Sequence, residues 1–228
     1  MAEIWNGLTK AIELIFTLDP EVMEIAGRSL TIAVTSTLLA SLICLPLASL
    51  IQFNNFRGKR ALVSVIQTFY SVPTVVIGLI VFVLFSRAGP LGGFSLLFTP
   101  AVIVVGQVLL ISPILLGLSI SAMKGVDNAI LDTARSLGAS GAQTMVLVIK
   151  ESRFAVIAAV IMGFSRAISE VGISLMVGGN IKGATRVITT AISLEAGKGG
   201  IELALALGII LIFIALVVNI VMNRVQQR

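Results

Sequence analysis

Long apolar runs alternate with short polar connections along this chain. Four of the runs contain no Asp, Glu, Lys or Arg, and a fifth contains only Arg166 and Glu170. Each run can supply the roughly 20 apolar residues that cross a bilayer as a helix. The predicted spans are residues 29–56, 61–86, 88–123 (its helix starting near Pro100, after a glycine-rich loop), 154–177 and 203–223. The pattern therefore predicts an all-α integral membrane protein with five transmembrane helices.

Three prolines fall inside predicted spans, at Pro46, Pro73 and Pro113. A proline frees one backbone carbonyl and bends a helix. Membrane helices tolerate proline because neighbouring groups bond to the freed carbonyl. We therefore expect a kink at each of these three positions, and we favour tolerated prolines over a role in gating.

The first 18 residues have a different pattern, in which Lys10 and Glu13 interrupt a set of apolar side chains that includes Trp5. The segment is too short and too charged to cross a bilayer. An apolar face opposite a charged face is typical of a helix that lies in the membrane interface, where tryptophan is a common anchor. Residues 1–20 are therefore predicted as an interfacial helix on the outer side.

The basic residues predict the orientation, because cytoplasmic connections carry an excess of Lys and Arg. Five spans place nine of them on one side, namely Arg57, Lys59, Arg60, Lys124, Arg135, Lys150, Arg153, Arg224 and Arg228. Six lie on the other side, namely Lys10, Arg28, Arg87, Lys182, Arg186 and Lys198. This asymmetry favours an outer amino terminus and a cytoplasmic carboxyl terminus.

The composition excludes several classes of function. Of the 228 residues 57% are hydrophobic and 12% are charged, whereas soluble domains carry about 25% charged residues. The absence of histidine excludes Ser-His and Cys-His catalysis, and the single cysteine, Cys44, excludes an internal disulfide. The net charge of +5 favours an anionic membrane surface or a transported anion over nucleic acid. The chain has no phosphate-binding Gly-x-x-x-x-Gly-Lys-Ser/Thr segment, so any ATP hydrolysis belongs to a partner.

The connection 124–153 predicts two short helices joined by a glycine turn. Asp127 suits the cap of the first helix, Gly138 suits the left-handed residue that ends it, and Ser140 with Gln143 forms a capping box for the second. Helical spacing places one apolar face on Ile130, Ala134 and Leu137, and it lets Asp132 pair with Arg135 on the other face.

The fourth span carries two ionisable residues four positions apart, Arg166 and Glu170, with Ser165 and Ser169 beside them. This spacing predicts an ion pair on one helix face. A charge at membrane depth must face protein or water. The pair therefore either fastens the span to its neighbours or forms a polar element of a translocation path or gate, and the residues alone leave both readings open.

The outer connection 178–200 collects hydrogen-bond donors. Two glycines allow a sharp turn, and cationic and hydroxyl groups match the oxygens of a tetrahedral oxyanion. The candidates for such a path are Gly178, Gly179, Asn180, Thr185, Arg186 and Thr189, with Lys182 nearby and no acidic residue before Glu195. The alternative is a basic surface loop that touches lipid headgroups or a receptor protein.

Two parts of the chain resemble permease subunits of ATP-binding-cassette (ABC) importers. Residues 132–138 resemble the cytoplasmic loop that docks on the ATPase in such permeases, with Asp132 and Thr133 in place of Glu and Ala. Residues 164–172, 178–181 and 185–192 resemble the permease subunit of tungstate-type importers, with molybdate permeases next. The resemblance extends over essentially the whole of residues 1–228 as one transmembrane domain.

The resemblance implies the type I ABC importer permease fold, in a prokaryotic inner membrane. It implies coupling to the ATPase through Asp132, Thr133, Ala134, Arg135 and Gly138. The partners would be a second copy of the chain, two ATPase subunits that hold ATP and Mg, and an extracytoplasmic oxyanion-binding protein. No metal or cofactor is expected in the chain itself, and tungstate and molybdate both remain open.

A rival interpretation is a stand-alone membrane protein of another class. A secondary carrier could use Glu170 as a proton-coupled site, although the chain lacks the inverted repeat that is typical of such carriers. An intramembrane protease that uses a Ser-His pair is excluded by the missing histidines.

Overall fold

The computed structural model describes residues 2–226, which form eleven α-helices and no β-strand. Met1, Gln227 and Arg228 lie outside the described residues. The helices are α1 (Ala2–Phe16), α2 (Pro20–Phe53), α3 (Lys59–Thr68), α4 (Thr74–Phe85), α5 (Pro100–Met123), α6 (Asn128–Ser136), α7 (Gly141–Glu151), α8 (Arg153–Ile168), α9 (Gly172–Gly178), α10 (Ile188–Gly197) and α11 (Ile201–Gln226). The outer connection predicted at 178–200 is therefore half helical.

Three helices are long and apolar enough to cross a membrane by themselves: Pro20–Phe53, Pro100–Met123 and Ile201–Met222. Pro46 and Pro113 lie inside the first two, and each of these is a single uninterrupted helix. Counting two bent helix pairs as one span each brings the number to five.

Each of the other two predicted spans is a bent pair of helices. The span at 61–86 consists of α3 and α4, which meet at 97°, and the span at 154–177 consists of α8 and α9, which meet at 55°. Val72, before Pro73, is extended at φ −65° and ψ 128° because a residue before proline avoids the helical region. The second break contains no proline.

Helix α2 is the central element of the bundle. Pro20 occupies its first turn, and the Asp19 carboxylate accepts a hydrogen bond from the Val22 amide at 3.0 Å. At 34 residues α2 is about 51 Å long, more than a bilayer core needs. Fully buried Ala33, Ala40 and other small residues let it pack closely on α5.

The predicted amino-terminal helix forms as α1 and packs on α11. Ala11 is fully buried in a cluster that includes Leu207, and Gly7 leaves room for Leu205, which would lie 2.7 Å from an added Cβ. Trp5 is 65% exposed on the other side, where an anchor in lipid was predicted.

The connections separate to opposite ends of the bundle. Leu131 of α6 and Val148 of α7 pack in one cluster with Met123 at the end of α5. The segment 178–187 and α1 lie at the opposite end, beside the beginning of α2. Segments 54–58 and 124–152 thus share one end of the molecule, where Asn54 lies beside Arg135 and Ala142, because two spans separate the two segments.

Candidate functional site

Glu170 lies between α8 and α9, at the break of the fourth span. Its carboxylate is 1% exposed. One oxygen, Oε2, accepts a hydrogen bond from Arg166 Nη1 at 2.9 Å, and Oε1 accepts one from the Ile173 amide at 2.9 Å. The predicted ion pair is confirmed, but Glu170 also supplies an acceptor to the first turn of α9. The pair joins two helices instead of lying along one.

Neighbouring helices donate hydrogen bonds to two backbone carbonyls at the break. Thr189 of α10 donates its hydroxyl to the Glu170 carbonyl at 2.7 Å. Gln107 of α5 donates its amide to the Ala167 carbonyl at 3.1 Å. Because carbonyls at a helix end lack intrahelical partners, these donors stabilise the break. Thr189 was a predicted candidate with another role, and Gln107 was missed, although it is the one amide side chain in the sequence of α5.

The two serines beside the pair have different environments. Ser169 is exposed and donates its hydroxyl to the Ser165 carbonyl at 2.9 Å. Ser165 is half-buried, and its hydroxyl lies 3.5 Å from Asn219 Oδ1 of α11. Arg166 keeps 34% of its side chain exposed while Glu170 is buried. The site therefore presents a guanidinium and a hydroxyl outwards and keeps its carboxylate inside.

The segment after α9 folds back on itself. Gly179 (φ 71°) and Asn180 (φ 51°) are left-handed, and Gly179 lies against the ring of Phe98, whose Cδ1 would be 2.8 Å from an added Cβ. Thr185 is fully buried; its hydroxyl donates to the Gly178 carbonyl and accepts from the Ile181 amide. In this conformation Thr185 and the glycines define the shape of the segment.

Lys182 and Arg186 share one acidic partner, Glu21 of α2. Lys182 Nζ lies 2.6 Å from Glu21 Oε2, and Arg186 Nη1 lies 3.5 Å from Glu21 Oε1. The expectation that these cations lack an acidic neighbour was wrong, because Glu21 is 161 positions away from Lys182 in the chain. Within residues 2–226 the buried Nε of Arg186 has no hydrogen-bond partner.

A cavity of about 550 Å³ lies beside this cluster of charges. It is bounded by α1, α2, α10 and α11 together with the segment 178–187. Its charged lining residues are Lys10, Asp19, Glu21, Lys182, Arg186, Glu195 and Lys198. With four basic and three acidic side chains the cavity is nearly neutral, so Arg186 is not a bare anion site in this conformation.

The helix–glycine–helix prediction for the connection 124–153 is confirmed in detail. Asp127 caps α6 by accepting from the Ala129 amide at 2.9 Å. Gly138 is left-handed at φ 82°. Both bonds of the capping box between Ser140 and Gln143 are present at the start of α7. Local sequence therefore determines this unit.

One face of α6 is apolar and exposed. Leu137 is 83% exposed, and with Ile130, Ala134 and Leu147 it lines an open hollow of about 400 Å³. The ion pair predicted between Asp132 and Arg135 does not form among the residues that the structure describes. An exposed pair gains little energy and costs side-chain entropy.

Residues 26–228 match the family model described as the inner membrane component of binding-protein-dependent transport systems. The chain belongs to this family. It is 40% identical over 227 residues, all of both chains, to the tungstate uptake system permease protein of Peptoclostridium acidaminophilum. The corresponding protein of Campylobacter jejuni is 37% identical, with 98% of this chain and 94% of that one covered. A probable anion ABC transporter permease of Haloferax volcanii is 39% identical, with 90% and 91% covered.

Solved structures of ABC importers share the fold. The methionine ABC transporter MetNI in an inward-facing conformation matches with a TM-score of 0.71 at 16% identity, covering 94% of this chain and 97% of that one. A bacterial ABC transporter that imports alginate matches with a TM-score of 0.73 at 17% identity, covering 90% and 79%. The expected type I importer permease fold is confirmed. As a family member the chain is a transport subunit of the inner membrane, not an enzyme.

Proposed function

We propose that this chain is the permease subunit of an ATP-driven importer for a tetrahedral oxyanion, with tungstate the first candidate and molybdate the next. The observation that carries the proposal is the similarity over the full length to a tungstate uptake permease. Permeases named for molybdate are also related, at lower identity and coverage. The amino terminus lies outside and the carboxyl terminus in the cytoplasm.

The working assembly is a homodimer with two ATPase subunits below and an oxyanion-binding protein above. Five spans are few for enclosing a pore, and the exposed apolar residues of α4, such as Leu79 and Ile80, suit contact with a second copy or lipid. ATP and Mg are held by the ATPase subunits. ATP-driven closure of those subunits opens the permease outwards, and hydrolysis returns it inwards.

Helix α6 couples the permease to the ATPase. Leu137 is exposed beside an apolar hollow. An exposed apolar patch of this kind is typical of a surface that contacts another protein. The opposite side of α6 packs Leu131 onto the bundle, so a push on the exposed face reaches α5 and α8. Asp132, Thr133, Ala134 and Arg135 provide the rest of the docking surface, and Gly138 ends it.

The oxyanion passes the break in the fourth span. Arg166 presents donors on the accessible side of that break, beside the exposed Ser169, and Glu170 holds Arg166 in place. At the outer end Gly178, Gly179, Asn180 and Thr185 shape the mouth, where Arg186 pairs with Glu21, and Thr189 bonds to the break itself. The rival function, a carrier with Glu170 as its proton site, has less support because both carboxylate oxygens already accept hydrogen bonds.

Uptake by the reconstituted complex tests the proposal. The permease, its ATPase and its binding protein are placed in proteoliposomes, and internal tungsten is measured by mass spectrometry. We expect accumulation that requires ATP and the binding protein, with molybdate as a competitor. Uptake that follows a proton gradient without ATP would instead support the carrier. The substrate assignment would be overturned if the complex transported a different labelled anion and neither tungstate nor molybdate competed with that transport.

A matched pair of glycine variants tests the coupling role. Gly138→Val forces a β-branched residue into the left-handed region, at a cost of about 1–3 kcal/mol of local strain. Gly141→Val places the same side chain three residues later, where φ is not positive; neither added Cβ meets an atom within 4 Å. We expect Gly138→Val to separate ATP hydrolysis from uptake and Gly141→Val to leave them coupled. Equal coupling in both variants contradicts the docking assignment.

A further inference from the structure

Helix α3, the first part of the second predicted span, does not run straight on into α4. None of its ten residues is buried, and it meets α4 at 97°. The hydroxyl of Tyr70, just after α3, occupies the space over Gly117, where an added Cβ would lie 1.6 Å from it. Gly117 precedes the end of α5 at Met123 by six residues, or about 9 Å. Helix α3 therefore lies at the end of the bundle that carries α6 and α7.

Helix α3 has an apolar arc that the protein covers only in part. Val63 and Ile66 are half-buried against the cluster that contains Met123. The adjoining Leu62, Val65 and Phe69 are 38%, 51% and 53% exposed. Arg60, Ser64 and Gln67 follow at helical spacing on the opposite side. Apolar residues on one side of a helix and polar residues on the other are typical of a helix that lies in a membrane interface, with its apolar face in the acyl region.

Positive charge without counter-charge lies at the start of α3. Arg57, Lys59 and Arg60 occur in a stretch, residues 25–126, that contains no Asp or Glu. Lys59 donates to the Gln52 carbonyl at the end of α2. Arg57 and Arg60 form no ion pair with any of the side chains that the structure describes. The two guanidinium groups are therefore available to anions outside the chain.

We propose that α3 is a membrane-surface helix that binds anionic lipid headgroups through Arg57 and Arg60, with Leu62, Val65 and Phe69 among the upper acyl carbons. Negative lipids attract basic residues at a membrane surface, and each arginine is expected to raise the affinity for an anionic membrane roughly fivefold. Lipid also covers the apolar arc with its acyl chains. An acidic protein that bound Arg57 and Arg60 would leave this arc exposed. The assignment of α3 to the cytoplasmic leaflet rests on the proposed orientation. The lipid binding does not, because it is tested in liposomes that have anionic lipid in both leaflets.

Quenching of a single tryptophan by labelled lipid tests this position. Trp5→Phe removes the one native tryptophan, and Phe69→Trp introduces an indole at an exposed site. The full chain is reconstituted with its ATPase in phosphatidylcholine that contains brominated phosphatidylglycerol or, at the same fraction, brominated phosphatidylcholine. We expect stronger quenching by the anionic lipid, with bromines near the headgroup more effective than bromines at the acyl end.

Adding Arg57→Gln and Arg60→Gln should remove the preference for the anionic lipid, while Arg57→Lys with Arg60→Lys should keep it. Arg87→Gln with Lys198→Gln removes two positive charges that lie outside α3 and should leave the preference unchanged. Several results would overturn the proposal: equal quenching by both lipids, strongest quenching at the bilayer centre, or protection from both lipids by the ATPase. None of these measurements depends on uptake, so the proposed transport function stands or fails separately.

Discussion

The two broken spans resemble each other in position but not in how the break is held. Between α3 and α4 the chain turns by 97° at a proline, whereas between α8 and α9 it turns by 55° without one. The first break is stabilised by the fixed geometry of Pro73 and by one ring, that of Tyr70, against Gly117. The second depends on hydrogen bonds from three helices to the segment around Glu170. The first break therefore combines a proline with one ring contact, whereas the second has no proline and is held by hydrogen bonds.

The halves that follow the two breaks pack on each other. Thr74, the first residue of α4, has its hydroxyl oxygen 2.7 Å from where a Cβ on Gly172 would lie, and Gly172 is the first residue of α9. Gly78 similarly makes room for Met176. Because α4 and α9 begin side by side, a movement at either break displaces both. The comparison predicts that the polar break is the more sensitive of the two.

The largest effect is expected for Glu170→Ala. This change leaves Arg166 without its partner and removes the acceptor for the Ile173 amide, which should cost about 3–5 kcal/mol. Thermal unfolding of the purified complex measures the loss. Glu195→Ala is the matched control, since Glu195 pairs with an exposed lysine and should cost less than about 1 kcal/mol. Similar melting temperatures for the two variants would remove the distinction between a structural and a surface carboxylate.

Gly117→Ala should have the next largest effect, at the proline break. The added Cβ collides with the Tyr70 hydroxyl and should cost about 1–3 kcal/mol through displacement of the ring. Gly208→Ala, where an added Cβ meets nothing within 4 Å, is the control. Tyr70→Leu should restore stability in the Gly117→Ala background. Failure of that rescue would mean that the ring does not hold the first break.

A double-mutant cycle on Arg166→Gln and Glu170→Gln sharpens the assignment of the polar break. The two side chains are in contact, so the combined loss should be smaller than the sum, with a coupling of about 1–2 kcal/mol. Stability and uptake are measured for all four proteins. Additive losses would show that the 2.9 Å contact contributes little in the assembled transporter.

The smallest of these effects is expected for Thr189→Val. It removes the hydroxyl that bonds to the Glu170 carbonyl and should cost about 1 kcal/mol. Thr31→Val is the control, because the exposed Thr31 hydroxyl bonds only to its own helix, at the Gly27 carbonyl. If the two variants unfold at the same temperature, α10 does not contribute to the break.

Features encoded by neighbouring residues were predictable from the sequence, and features encoded across the chain were not. The caps at Asp127 and Ser140 and the turn at Gly138 follow from residues within one turn of helix. The pairing of Arg166 with Glu170 was also predictable, but its helical spacing concealed the break that it holds. The partner of Lys182 could not be found, because Glu21 lies on another helix far earlier in the chain.

The three prolines also show that the sequence alone does not predict where a span breaks. All three were expected to kink their spans, yet Pro46 and Pro113 lie in continuous helices while Pro73 separates two. Proline permits a break in each case. What distinguishes Pro73 is the extended Val72 before it and the nearby fit of Tyr70 over Gly117, and neither is visible in a list of residue types.

The packing of α1 on α11 has a consequence for biosynthesis. Asn6 donates a hydrogen bond to Glu202, a residue 196 positions later. At 5–20 residues per second the ribosome needs about 10–40 s to synthesise the chain between these two residues. The first helix to emerge must therefore wait for the last span to be inserted, and during this interval only lipid is available for its apolar faces. A chain truncated before α11 would leave α1 permanently in that state, which makes it a natural target for membrane quality-control proteases.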